Sequence, residues 1–305
     1  MKKVGLAELL SAHSPEQFIR DHLPKDPVVL HGQNSELSTL MDLPFLQSLD
    51  ALLNAWPKAI EVHLPDARDE ASSIECNPQN AQKLFKNKMA LLFNNVQEIS
   101  PILEAWLQTL KKDLGLPHST YSRCIVYATP DGMGTATHFD QNINFVLQLK
   151  GTKKWWLAPN TTIENPTERH TIGLPIDPEL ASYMNGDMPT SMPAGAKEVV
   201  LKPGSILYVP RGYWHKTEAE GEALALNFTF SQPTWIDLFT LALRSRLSLS
   251  PEWRALAHGV SFEESSQRLT GQQKLDHLLL ELVEDLPHWR AADILGATEG
   301  YDPEI

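Results

Sequence analysis

The sequence predicts a mainly β fold with flanking helices, an antiparallel barrel or jelly roll set between helical segments. Three observations carry this reading. Residues 143–150 alternate, with Ile143, Phe145, Leu147 and Leu149 on one face and Asn144, Val146, Gln148 and Lys150 on the other. Short apolar runs at 197–202, 205–209, 214–219 and 223–230 are separated by Pro203-Gly204, Pro210-Arg211-Gly212 and Glu220-Gly221-Glu222, which is turn chemistry. Outside this region, before about residue 121 and after Pro233, apolar residues recur at helical spacing.

Taken in order, Ser14-Pro15-Glu16 starts a helix, with Ser as N-cap and Pro at the first helical position. Phe18, Ile19 and Leu23 give it an apolar face, and Pro24 and Pro27 stop it. Val28-Val29-Leu30 is a short strand closed by Gly32. Phe45, Leu46, Leu49, Leu52, Leu53 and Trp56 form a helical stripe over 43–56. Ser100-Pro101 opens another helix, with Ile102, Leu103, Trp106, Leu107 and Leu110 on one face and Gly115 at its C-terminal end. Arg123–Ala128 is a strand, and Gly151-Thr152 turns a hairpin between 143–150 and Lys153–Leu157. Residues 160–195 carry Pro166, Pro175, Pro178, Pro189 and Pro193 without periodicity and form a long insertion. Ile236, Phe239, Leu243 and Leu247 stripe one C-terminal helix; Leu275, Leu278, Leu279, Leu282 and Val283 stripe a second. The division expected is 1–232 for the β domain with its N-terminal α/β elements, and 233–305 for a helical region.

Composition narrows the function. The 305 residues hold 26 Lys+Arg against 38 Asp+Glu, a formal charge of −12, which argues against a broad grip on nucleic acid. No apolar stretch approaches the length of a membrane helix, and the first residues lack a leader pattern. Cys76 and Cys124 do not make a disulfide framework, so a reducing, cytoplasmic setting is expected.

Chemistry concentrates in Thr135-Ala136-Thr137-His138-Phe139-Asp140. On a strand, residues two apart share a face, so His138 and Asp140 converge while Phe139 turns to the opposite layer. His215 follows far along the chain, in Gly212-Tyr213-Trp214-His215-Lys216. Two imidazoles and one carboxylate leave three octahedral positions open, the arrangement of non-haem Fe(II) oxygenases. The pair His138/Asp140 alone is a weak signal, since such spacing is common on surfaces. Trp155, Trp156 and Tyr127 read as packing residues. His13, His22, His31, His63, His118, His170, His258, His277 and His288 read as surface or helix residues without ligand-like partners.

The stretch from His138 through Gln148 to Gly151-Thr152-Lys153-Lys154-Trp155-Trp156-Leu157-Ala158-Pro159 resembles the core of the JmjC, or cupin-like, 2-oxoglutarate oxygenases. The likeness is strongest to their protein-hydroxylase branch, which includes an asparaginyl hydroxylase. Pro203-Gly204 through His215 resembles the family's second metal segment, and Asp26–Gly32 its first strand. The resemblance implies a double-stranded β-helix in which His138, Asp140 and His215 bind Fe(II). It also implies that Lys153, assisted by Thr135, holds the distal carboxylate of 2-oxoglutarate. Strand parity admits either Lys153 or Lys154, and only one of them. Asn144 matches a family position near the metal-bound end of the cosubstrate, and Asn227 a polar position after the second histidine.

The activity implied is an Fe(II)-, 2-oxoglutarate- and O2-dependent hydroxylation, or demethylation, of a protein or peptide side chain. A small molecule or a modified tRNA base is also open, although the acidic charge disfavours RNA. Homodimerisation through the C-terminal helices is a further expectation. The competing readings are a non-catalytic cupin that binds metal or ligand, and a cupin isomerase or hydrolase. Neither accounts for a triad together with an inward lysine.

Overall fold

Two long strands, Ile143–Ala158 and Trp214–Ser231, pair with each other along most of their length and organise the first of two compact units. The structure is a computed structural model that describes residues 4–10, 14–21, 23, 25–32, 37–65, 72–261 and 265–299. His13, His22 and Pro24 lie outside the described residues. Unit one comprises Met1–Leu116 and Thr120–Ser231; unit two comprises Pro117–Ser119 and Gln232–Ile305.

The strands of unit one are β1 (Val28–Leu30), β2 (Ile60–His63), β3 (Ser73–Cys76), β4 (Ala90–Asn94), β5 (Tyr121–Thr129), β6 (His138–Phe139), β7 (Ile143–Ala158), β8 (His170–Thr171), β9 (Lys197–Leu201), β10 (Ile206–Val209) and β11 (Trp214–Ser231). Their order is β1-β10-β7-β11-β5-β4-β2-β3, with β6 bridging β11 and β8, and β9 beside β7. Every strand pairing among the described residues is antiparallel. The architecture is a mainly β, double-stranded β-helix with flanking helices.

The hairpin expected at Gly151-Thr152 is absent: β7 runs straight through it. Its first half pairs with β10 and its second half with β9. The turn expected at Glu220-Gly221-Glu222 is likewise a bend inside β11, marked by a register shift between Glu220 and Leu224. Gly151 explains both. Its φ is +67°, and a Cβ there would sit 2.1 Å from the Glu222 carbonyl oxygen. Glycine thus lets the two strands kink together instead of reversing, which carries each from one layer to the other.

Both faces of β7 are buried, each for a different reason. Phe145 and Leu147 join Phe228, Phe230, Leu226 and Tyr208 in a core covered by α1 (Leu6–Leu10), α2 (Pro15–Asp21) and residues of the helices that follow. Val146 points the other way, into a small barrel interior with Trp155, Leu157, Leu201, Leu207, Val209 and Ala225. Each fully buried aromatic of this kind contributes roughly 1.5–3 kcal/mol relative to exposure. The 43–56 stripe is not one helix. A 3-10 turn, Pro44–Leu46, precedes α4 (Leu49–Ala55), because Ser48 turns extended and accepts the Ala51 N–H as an N-cap. It comes after α3 (Ser38–Met41). A further helix, α5 (Pro78–Lys86), and strands β2 to β4 have no counterpart in the sequence reading. α6 (Pro101–Asp113) is capped by Ser100, and Gly115 follows it at φ +63°. Leu103, Trp106, Leu107 and Leu110 are buried on α6, whereas Ile102 is exposed. Within 160–195, α7 (Pro178–Tyr183) and β8 supply the ordered pieces.

Unit two holds α8 (Trp235–Leu247), α9 (Pro251–Arg254), α10 (Ser265–Asp285) and α11 (Ala291–Glu299). Thr234 and Asp237 form a reciprocal capping box at the start of α8. Arg246 grips Asp285 with two nitrogens, at 2.9 and 2.6 Å, and Phe239 packs on Trp289. The two leucine stripes do not form a core. Leu238, Ala242 and Leu278 are buried, but Ile236, Phe239, Leu275, Leu279 and Val283 are exposed. No helix among the described residues is long and apolar enough to cross a membrane.

Candidate metal centre and its cavity

Strand pairing delivers the first two groups. His138 on β6 lies directly opposite His215 on β11, and the ring centroids are 4.1 Å apart. Asp140 follows at the end of β6, where its carbonyl accepts the Gly212 N–H at 2.8 Å. One ligand atom from each of His138, Asp140 and His215 lies within 4.8 Å of the others, and this is the metal-competent cluster found among the described residues. Phe139, between the first two, faces away and stacks edge-on against Trp214 at 4.7 Å. The residues adjoining both histidines thereby lock them from behind.

The imidazoles are preset. His138 donates its Nδ1–H to the Ala136 carbonyl at 2.8 Å, and His215 donates its own to the Tyr213 carbonyl at 2.9 Å. A carbonyl can only accept, so the proton sits on Nδ1 and the Nε2 lone pair faces the cluster. Nε2 of His138 is 3.9 Å from Asp140 Oδ1, and Nε2 of His215 is 3.7 Å from Oδ2. Burial pushes both imidazoles toward the neutral form, His138 down to about 3 with help from the neighbouring His215. Burial alone would raise the Asp140 carboxyl, but His138, His215 and Arg169 outweigh it and hold the group below its ordinary value. Two neutral imidazoles and a carboxylate are a divalent-cation donor set.

One cavity contains all seven residues singled out in the sequence: Thr135, His138, Asp140, Asn144, Lys153, His215 and Asn227. Lys153, not Lys154, faces inward. Lys153 is buried, with Nζ 3.2 Å from the Thr129 hydroxyl and beside the rings of Tyr127 and Trp155. Lys154 is paired with Glu220 outside. Burial pulls Lys153 down to about 8, and no carboxylate pairs with it among the described residues. An enclosed ammonium with no counter-ion calls for an anionic guest. Asn144 donates to Asp140 Oδ2 at 3.2 Å and accepts from Asn227 and Thr229 at 3.2 and 2.9 Å. The buried Asn227 Oδ1 has no hydrogen-bond partner among the described residues. Thr135 lines the cavity with its hydroxyl 3.0 Å from that of Thr217. The donor set and the ammonium without a carboxylate partner together fit a metal with a dianionic chelator, whereas Asn227 Oδ1, an acceptor, calls for a donor.

Other lining residues escaped the sequence reading. Thr217 was legible, since it lies two residues past His215 on the same strand and therefore on the same face. Tyr127 lines the cavity, and Trp155 stacks on His215 at 5.6 Å; both serve the site as well as the packing. His63 is buried on β2 rather than on the surface, 3.3 Å from Glu61, and lines the same cavity. Its hydrogen bond to Glu61 lowers that carboxyl against the effect of burial, with Asn94 assisting. His170 is buried too, against Trp214 and Phe139. Arg169 lies 3.2 Å from Asp140. Nothing local in the sequence marks His63 or Arg169, because each reaches the cavity through non-local pairing.

Comparison with known proteins gives four findings. The family model for the JmjC domain matches residues 114–238. The protein YxbC of Bacillus subtilis is 32% identical over 288 residues, covering 92% of this chain and 87% of that protein. Ribosomal oxygenase 1 of Gallus gallus is 26% identical, covering 93% of this chain and 48% of that protein, so the chain spans about half the length of that relative. Among solved structures, Escherichia coli YcfD, a ribosomal oxygenase in complex with cobalt and 2-oxoglutarate, superposes with a TM-score of 0.55 at 20% identity. It covers 91% of this chain and 68% of that one, a likeness of fold.

Proposed function

Because the chain belongs to the JmjC-domain family, we propose that it is an Fe(II)- and 2-oxoglutarate-dependent oxygenase that hydroxylates, or demethylates, a protein or peptide side chain. The observation that carries this is the joint presence, in one cavity, of two Nε2-presenting imidazoles, one carboxylate and a buried unpaired ammonium. His138, Asp140 and His215 hold the metal. Lys153, hydrogen-bonded to Thr129, binds the distal carboxylate of the cosubstrate together with Thr135, which lines the same cavity. Asn144 and Asn227 orient the metal-proximal end through the amide network that also fixes Asp140. When bound, Fe(II) with 2-oxoglutarate and dioxygen supplies the oxidising power for C–H oxidation, the cosubstrate leaving as succinate and carbon dioxide. Trp155 and Val209 keep the floor of the site apolar and limit water.

The relatives' names support a protein substrate: one is named for the ribosome, and a Drosophila persimilis relative is named a lysine-specific demethylase and histidyl-hydroxylase. In this reading residues 1–232 form the catalytic domain. Residues 233–305 form a helical region whose exposed apolar side chains take a second copy of the chain. The free thiols of Cys76 and Cys124 support a cytoplasmic setting. The test is anaerobic addition of Fe(II) and then 2-oxoglutarate. A weak visible charge-transfer band is expected, and comparative proteomics of a deletion strain should show loss of a roughly 16-Da increment, one oxygen atom, on a protein. Tight binding of another divalent metal with no response to 2-oxoglutarate would favour a non-catalytic cupin.

A further inference from the structure

Arg169 stands immediately before β8, whose two residues pair antiparallel with β6: His138 with Thr171, and Phe139 with His170. Continuing that register one step sets Arg169 across from Asp140. The side chains meet as the register requires, with Arg169 Nε donating to Asp140 Oδ1 at 3.2 Å. Asn144 Nδ2 holds the other oxygen, Oδ2, also at 3.2 Å. The segment bearing Arg169 is anchored independently of this contact. Ile163, Leu180 and the partly buried Ile172 and Met184 pack on Phe139 and Trp214, the residues adjoining both histidines. Arg211 also donates to the Pro166 carbonyl at 2.8 Å. The guanidinium therefore arrives at Asp140 on a braced segment.

The two carboxylate oxygens are nearly equivalent toward the imidazoles, at 3.9 and 3.7 Å. They differ in their neighbours: the Arg169 guanidinium engages Oδ1 through Nε, and the neutral Asn144 amide engages Oδ2. We propose that Arg169 is a positioning residue that reserves Asp140 Oδ1, so that Asp140 offers a metal one oxygen and not two. This rests on the metal reading above and explains how the site stays open. Six positions less three protein ligands leave three, enough for a two-atom chelator and dioxygen. A carboxylate binding through both oxygens would leave two, and the cosubstrate would compete with dioxygen.

The test uses the full-length protein, Co(II) as probe metal, and isothermal titration in two steps: Co(II) into apoprotein, then 2-oxoglutarate into the Co(II)-loaded protein. Arg169→Met is expected to bind Co(II) as tightly as wild type or up to about tenfold tighter, since a competing cation is gone. Its affinity for 2-oxoglutarate is expected to fall at least tenfold, with a changed Co(II) visible spectrum before the cosubstrate is added. Arg169→Lys, which retains a donor cation, should restore most of the cosubstrate affinity. An unchanged 2-oxoglutarate affinity in Arg169→Met overturns the proposal. So does a parallel loss of Co(II) binding and thermal stability, which would make Arg169 a fold contact. Failure of the wild type to bind Co(II) would instead overturn the metal reading, and this inference with it.

Discussion

The two units break the ordinary solvent rule in opposite directions. The β unit buries His138, Asn144, Gln148, Lys153, His215, Asn227 and Thr229. The helical unit exposes Trp235 at 78%, Ile236 at 67%, Leu280 at 64% and Val283 at 61%. Polar groups held in a barrel lower stability unless each is satisfied, and here Lys153 and Asn227 are left short of partners. Apolar side chains left in water lower solubility unless something covers them. In the proposed reading the first departure is a ligand site and the second a surface for a second copy of the chain. Substitutions in one unit should therefore alter chemistry, and substitutions in the other should alter association.

The largest expected effect is on the chemistry side. His138→Ala or Asp140→Ala should reduce succinate formation from 2-oxoglutarate by at least about a thousandfold, because one ligand of three is lost. Residual turnover near wild type would remove these residues from the metal site. Lys153→Met comes next and should split two observables. The 2-oxoglutarate concentration for half-maximal turnover should rise about a hundredfold. The melting temperature should rise by roughly 3 °C, since an apolar side chain replaces an unpaired buried charge. A fall in both would mean that Lys153 supports the fold.

On the association side, Ile236→Glu combined with Val283→Glu should weaken self-association at least tenfold by light scattering, with succinate formation unchanged. A wild-type monomer at working concentration would refute the second-copy reading. The smallest effect is with pH. Burial depresses Lys153 to about 8. The unfolded chain therefore binds more protons between about 8 and the ordinary lysine value, and stability rises with pH across that window. Over the same window the free protein loses its cation. kcat/KM for 2-oxoglutarate should be flat below pH 7 and fall roughly tenfold per pH unit above about 8. A flat profile to pH 9 would contradict the pairing.

Much of this was legible in the chain. Period-two alternation located the first half of β7, and turn dipeptides separated β9, β10 and β11. The spacing of His138 and Asp140 put both on one face. Strand parity allowed one lysine inward, and packing, which parity cannot supply, chose Lys153. The kinks at Gly151 and Gly221 read as turns because a glycine that reverses a chain and one that bends a paired strand look the same locally. The C-terminal stripes could not be told apart as core or association surface, because periodicity reports a face and not what covers it. His63 and Arg169 were invisible for a third reason. β2 and β8 reach the cavity only through β4–β5 and β6 pairings, and register between distant segments is not written in either segment alone.

The central claim is that His138, Asp140 and His215 meet at one ion with Lys153 at the far end of its organic partner. Diffraction from crystals soaked anaerobically with Mn(II) and 2-oxoglutarate tests it directly. The account predicts an anomalous peak bound by both Nε2 atoms and a single oxygen of Asp140, with the distal carboxylate of 2-oxoglutarate against Lys153 Nζ. A metal bound elsewhere, or a cosubstrate that leaves Lys153 untouched, would contradict it.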